Sequence, residues 1–209
     1  VPAPTAPRRR LSRKRLLGID RSGPEPVQTR AGQPLRPFTL PNLIGYIRLA
    51  AIPVYLVIAF GSGDGRDPLA AAIFVAIALG DLLDGFVARA TGQYSRMGAL
   101  LDPLVDRLTI LAGAAVCWHF ELLPRWAIAA LAAREVVTLI LAEIGLRHGV
   151  DIEINWIGRI AVFLIMGGIF WAQVVDWLVI DIGFAVGVLI SILATVLYAR
   201  AARAAATTG

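Results

Sequence analysis

Cysteine is nearly absent from this chain: Cys117 stands alone inside an apolar run. A single thiol excludes an internal disulfide and any cysteine metal centre. Histidine is almost as scarce. His119 and His148 fall at opposite ends of the chain's predicted third and fourth apolar segments, so they do not share a metal. Charge is also sparse, at 17% of residues against 57% hydrophobic. That balance excludes an ordinary soluble domain. A mean hydropathy of +0.71 points instead to an integral membrane protein. The first 37 residues lack a continuous apolar core and do not read as a signal peptide. No internal repeat is visible.

The charge that is present is unevenly placed. Nine of the twenty Lys and Arg precede residue 40, including the block RRRLSRKRLL at Arg8–Leu17. Residues 1–37 therefore read as a flexible basic tail that meets an anionic membrane surface, with no nucleic-acid partner. Six hydrophobic segments follow, over about 43–60, 69–90, 97–118, 126–146, 154–172 and 177–198. Each is close to the roughly 20 residues needed to cross a bilayer. The expected fold is an all-α integral membrane protein with six transmembrane helices in a domain spanning 38–200. A short C-terminal tail covers 201–209. Trp118, Trp126, Trp156, Trp171 and Trp177 fall near predicted helix ends, as an aromatic belt requires. The small-residue runs at 70–72 and 129–133, with Gly167 and Gly168, suit close helix packing in lipid.

An even number of spans puts both termini on one side. That side collects the basic tail, Arg89, Arg96, Arg147, Arg200 and Arg203. The opposite loops hold only Arg66 and Arg125, beside Asp64, Asp67 and Glu121. The positive-inside rule then places both termini in the cytosol.

Four aspartates interrupt the second and third segments: Asp81, Asp84, Asp102 and Asp106, in the string DLLDGFVARATGQYSRMGALLDPLVD. Asp81 and Asp84 are i,i+3; Asp102 and Asp106 are i,i+4. Each pair shares a helical face. Carboxylates are costly in hydrocarbon and line polar cavities that have a function. Here the cavity would open to the cytosol. Four of them at one point need a cation between them, and a pair of divalent metals is the obvious candidate. Small residues beside them, Gly85, Ala88 and Gly98, leave room for a bulky group. Such a site suits phosphoryl or phosphodiester chemistry. Two other readings stand beside it: an ion path through a transporter, and a structural lattice in which Arg89, Arg96 and Arg107 neutralise the acids.

The spacing D-x2-D-G-x2-A-R-x8-G-x3-D-x3-D, filled by Asp81, Asp84, Gly85, Ala88, Arg89, Gly98, Asp102 and Asp106, resembles the signature of the CDP-alcohol phosphotransferase family. The likeness covers roughly Leu40–Tyr198. The string TLPNLIGYIRL at Thr39–Leu49 is similar to the first-helix opening of bacterial phosphatidylglycerophosphate and cardiolipin synthases. The resemblance implies an enzyme of the bacterial inner (plasma) membrane that joins an alcohol to a CDP-linked lipid, CDP-diacylglycerol, and releases CMP. It also implies two Mg²⁺ or Mn²⁺ ions and a homodimer. By position, Asp81, Asp84 and Asp102 would hold the metals and the diphosphate. Asp106 would complete the metal site and serve as catalytic base. Gly85, Ala88 and Gly98 would shape the cytidine pocket, with Arg89 beside it. Asn42, near a helix start, is either a cap or a further nucleotide contact.

Arg48, Arg134 and Arg159 lie inside apolar segments and read as buried, where arginine needs an anion. Pairing with acids is one account. The other is a pocket in which Arg134 and Arg159 hold a phosphate on the acceptor. The AREVV string at Ala133–Val137 resembles a TRE-like string of phosphatidylglycerophosphate synthases, with Ala133 in the threonine's place. Glycerol 3-phosphate is the expected acceptor, with phosphatidylglycerol (a cardiolipin synthase) or inositol phosphate as alternatives. The charge bias gives a direct test of orientation. A cysteine introduced at Ser95, with Cys117 replaced, should be blocked only by reagents that enter the cell. Labelling by an impermeant reagent on intact cells would reverse the topology.

Overall fold

The computed structural model of the chain describes residues 34–147 and 156–207. The basic block at Arg8–Leu17 and His148 lie outside the described residues. The described chain is all-α: α1 Leu40–Gly61, α2 Pro68–Thr91, α3 Arg96–His119, α4 Arg125–Arg147, α5 Trp156–Ala172 and α6 Leu178–Thr207. The helix starts follow from local chemistry. Thr39 caps α1, its Oγ1 accepting from Asn42 N at 3.3 Å. Asp67 caps α2, its Oδ1 accepting from Leu69 N and Ala70 N at 2.8 and 2.9 Å, with Pro68 at the first helical position. Gly92, at φ +68°, ends α2 in the left-handed conformation that glycine adopts without a steric cost.

Among the described residues, α1, α2 and the 178–197 stretch of α6 are long and apolar enough to cross a membrane, and 157–172 forms a shorter apolar helix. The expectation of six full spans is therefore met in helix number and only partly in span character. In α3 the reason is visible in the sequence: Arg96, Asp102, Asp106 and Arg107 dilute its apolar run. Large apolar side chains stand exposed on the candidate spans, among them Val57, Leu69, Leu178 and Val179. Trp118, Trp126, Trp171 and Trp177 are exposed at or beside helix ends, where a belt would put them.

The chain divides into two compact units. One comprises residues up to Ala50 and Leu79–Asp106; the other comprises Ala51–Ala78 and Arg107 onward. The second has a core of Tyr55, Phe74, Val116, Leu131, Ile165 and Phe184, each at most 1% exposed. Its buried polar groups are paired. Tyr55 donates to Gln173 Oε1 at 2.9 Å, and Gln173 Nε2 donates to the Ile169 carbonyl at 2.9 Å. In this unit α6 packs against α5 and α4. A Cβ built on Gly168 would lie 2.8 Å from Phe184 Cβ and 3.3 Å from its Cα, whereas one on Gly167 meets nothing within 4 Å. Of the two glycines expected to pack, Gly168 does so against Phe184.

Gly168→Ala should cost about 1–3 kcal/mol, because the Phe184 backbone cannot yield without moving its helix. Gly167→Ala should be neutral or stabilising by up to about 1 kcal/mol, the ordinary helix advantage of alanine. Thermal unfolding of both variants in detergent measures the contrast. Equal stability of the two would mean that α5 and α6 do not approach this closely.

Candidate active site

The four aspartates all belong to the first unit, and so does the cation they surround. Asp81 and Asp84 are one turn apart on α2; Asp102 and Asp106 are one turn apart on α3. Arg48 of α1 reaches among them. Its Nη1 donates to Asp84 Oδ2 at 2.9 Å and stands 3.7 Å from Asp81 Oδ1, while Nη2 donates to Asp106 Oδ1 at 2.6 Å. The Arg48 and Asp84 side chains are each only 4% exposed, whereas those of Asp81 and Asp106 are 42% and 44% exposed. Asp102 is half-buried and lies within the electrostatic reach of Asp84, Asp81, Arg48 and Asp106.

Gly80 makes room for this arrangement. A Cβ there would fall 2.7 Å from Arg48 Cδ and 2.8 Å from its Cγ, so the arginine stem lies directly over the glycine. Arg89 follows Asp84 on α2. Its guanidinium sits over Gly85, where a Cβ would come 3.1 Å from Nη1. The space that the sequence assigned to a ligand beside Gly85 is taken by Arg89 in this structure.

A hydrogen-bonded cluster fixes the start of α1 against the α2–α3 turn. Asn42 is 2% exposed. Its Nδ2 donates to the carbonyls of Arg36 and Pro37, both at 3.0 Å, and its Oδ1 accepts from Ser95 Oγ at 2.9 Å. Ser95 Oγ in turn accepts from Gly98 N at 3.0 Å. A Cβ on Gly98 would sit 2.8 Å from Asn42 Oδ1. Leu40 N donates to Gln93 Oε1 at 3.1 Å, and Met97 N to the Leu35 carbonyl at 3.0 Å. Residues 35–37, assigned to the tail by sequence, are thus bonded to the domain. Asn42 is not the cap of α1, because Thr39 precedes it and does that work. Ser95 is buried, so the exposed Thr91 is the better position for the topology label.

Arg134 and Arg159 belong to the second unit. Arg134 is half-buried and already engaged. Its Nη1 donates to Glu135 Oε1 and its Nε to Thr195 Oγ1 at 3.2 Å. Arg159 is exposed, contrary to the burial its apolar neighbours imply. Its place in the first turn of α5 explains this, since a long side chain there can lie along the surface. His119 stacks edge-on against Phe60 and Phe120.

The donor chemistry decides what ion the acidic site suits. Among the described residues, no three His, Cys, Asp or Glu are grouped closely enough to hold a metal ion, and the carboxylates stand around Arg48 instead. One guanidinium against four carboxylates leaves an excess of negative charge. The donors are all hard oxygen ligands, the kind preferred by Mg²⁺ and Mn²⁺. Arg48 is the cation that Asp81, Asp84 and Asp106 hold in this structure.

Residues 38–198 match the family CDP-alcohol phosphatidyltransferase. The chain belongs to that family. It is 37% identical over 145 residues to a cardiolipin synthase (CMP-forming) of Streptomyces coelicolor, covering 67% of each chain. It is 29% identical over 150 residues to the CDP-diacylglycerol--glycerol-3-phosphate 3-phosphatidyltransferase of Bacillus subtilis, covering 66% of this chain and 74% of that one. The Salmonella typhimurium protein of the same name is 31% identical over 143 residues, covering 64% and 76%.

Proposed function

We propose that the chain transfers a phosphatidyl group from CDP-diacylglycerol to a glycerol hydroxyl and releases CMP, with the reacting groups on the cytosolic face. The observation that carries this reading is the set of acids gathered around one buried guanidinium, at the family's spacing. Asp81, Asp84, Asp102 and Asp106 are the carboxylates that would hold two Mg²⁺ or Mn²⁺ ions. When bound, such ions supply positive charge to the diphosphate and to the departing phosphate of CMP. Asp106 takes the proton of the acceptor hydroxyl. The hydroxyl oxygen bonds to the phosphatidyl phosphorus, and the bond from that phosphorus to the CMP oxygen breaks. Asp106 suits the role because its side chain is 44% exposed, whereas Asp84 is enclosed. Arg89, Gly85, Ala88 and Gly98 flank the acids on the nucleotide side. Asn42, with its amide already engaged, shapes that pocket through Ser95 and Gly98.

Two acceptors fit this chemistry. The glycerol 3-phosphate reading takes Arg134 and Arg159 as holders of the acceptor phosphate. Arg134's engagement with Glu135 and Thr195 weakens that support. Similarity to the Streptomyces cardiolipin synthase favours phosphatidylglycerol, which brings the same glycerol hydroxyl with a singly charged phosphodiester. We therefore take phosphatidylglycerol as the first reading, with cardiolipin as product, and glycerol 3-phosphate as the second.

Asp102→Asn should abolish CMP release from labelled CDP-diacylglycerol while the protein stays folded in detergent. Asp106→Asn should lose about 10²–10⁴-fold in turnover and keep most nucleotide binding. Full CMP release by D102N would remove the acids from the reaction, and near wild-type turnover by D106N would remove it from the base role.

The acceptor is decided by offering phosphatidylglycerol and glycerol 3-phosphate separately with labelled CDP-diacylglycerol. Cardiolipin is the expected product. If glycerol 3-phosphate alone supports CMP release, the second reading holds. Arg134→Ala should then weaken acceptor use more than about tenfold, the scale of one charge-assisted hydrogen bond.

A further inference from the structure

Arg48 is placed as no simple structural arginine would be. It sits in an apolar helix, 4% exposed, and its two terminal nitrogens go to carboxylates on two different helices. The slot it lies in exists only because residue 80 is glycine. Its bonds differ in character. The one to Asp84 is buried at both ends, and the one to Asp106 ends on a carboxylate nearly half exposed.

We propose that Arg48 is the resident counter-cation of the acidic site, a positioning residue that competes with divalent cations for the same carboxylate oxygens. This rests on the metal-dependent reading above. Without a divalent ion, Arg48 holds Asp84 and Asp106 together and offsets their repulsion. An ion entering the site must take the Asp106 oxygen that Arg48 Nη2 holds. Arg48 keeps its buried bond to Asp84, turning with that pair as its pivot. Arg48 thereby sets the divalent-ion concentration at which the site becomes competent. It also keeps the acids from splaying apart below that concentration.

The test uses the full chain purified in detergent, with Mn²⁺ as probe. Free Mn²⁺ is followed by its electron paramagnetic resonance signal, and unfolding temperature is measured with and without the ion. Arg48→Met removes the competing charge, so Mn²⁺ should bind about tenfold more tightly or better, the scale of one charge-assisted hydrogen bond. Its unfolding temperature should fall without metal and recover with it. Arg48→Lys keeps the charge in a compact ammonium that cannot bridge two helices, and it should fall between wild type and R48M in both measurements. Gly80→Ala displaces the arginine stem without changing any charge, and it should also tighten Mn²⁺ binding while lowering metal-free stability. A merely structural Arg48 would lower stability and leave Mn²⁺ affinity unchanged. That result in R48M, or in R48K and G80A should R48M not fold, overturns the proposal. Absence of Mn²⁺ binding in wild type and every variant overturns the metal-dependent reading with it.

Discussion

The site depends on one charge balance: a buried guanidinium enclosed by carboxylates from two other helices. Each acid alone would be costly in an apolar helix, and so would Arg48. Together they satisfy one another, but not completely. Three carboxylates within 3.7 Å of one guanidinium, with Asp102 close by, leave the cluster electron-rich. That residual negative charge makes the site attractive to further cations. A fully neutralised lattice would be stable and inert. An unneutralised one would drive α2 and α3 apart. The structure lies between these limits.

Small residues set the distances on which this balance rests. Arg48 reaches the acids only because Gly80 carries no side chain under its stem. The start of α1 reaches the α2–α3 turn only because Gly98 leaves space for the Asn42 amide, which Ser95 then locks. Gly45 plays a similar part, since a Cβ there would come 2.6 Å from Leu101 Cδ2. Glycine in a helix is destabilising by roughly 0.5–1 kcal/mol relative to alanine, so each of these positions carries a stability cost. The close approach it permits sets the register of α1 against α3, and with it the register of Arg48 against Asp106.

The sequence made the acids legible and left their partner open. Asp81, Asp84, Asp102 and Asp106 announce themselves because carboxylates contradict an apolar run, and their spacing is local. Arg48 contradicts its run just as strongly, and the need for an anion could be read from it. Which anion could not, because Asp84 and Asp106 are 36 and 58 positions away. The same limit applies to Arg134. Its neighbour Glu135 is adjacent in the chain, but Thr195 is 61 positions distant, so the arginine looked freer than it is. Arg159 misled for a different reason: apolar neighbours in sequence do not bury a side chain in a helix's first turn. Helix positions followed the apolar runs closely. Span character did not, since the charge that makes α3 chemically useful also makes it less apolar.

The acceptor is hard to read because, in the proposed reaction, the identifiable part of the site meets it only at the hydroxyl that either candidate carries. In that reaction the aspartate string and its glycines meet the diphosphate and nucleotide of the donor, which is the same for either acceptor. Glycerol 3-phosphate and phosphatidylglycerol each present a glycerol hydroxyl to the same base, and they differ in what lies beyond the adjoining phosphate. One is a small dianion; the other is a monoanion carrying two acyl chains. An enzyme discriminating between them must do so through residues away from the carboxylates, by matching charge or by offering apolar surface. Arg134 is a natural candidate for the first, but its charge is already shared with Glu135. A dianion would have to compete with that carboxylate, and two negative charges against one arginine is an unfavourable balance. A lipid acceptor asks less of the arginine, because its acyl chains supply binding free energy by leaving water or resting in the bilayer. On the proposed reading, the pairing of Arg134 with Glu135 therefore counts against a dianionic acceptor and for a lipid one.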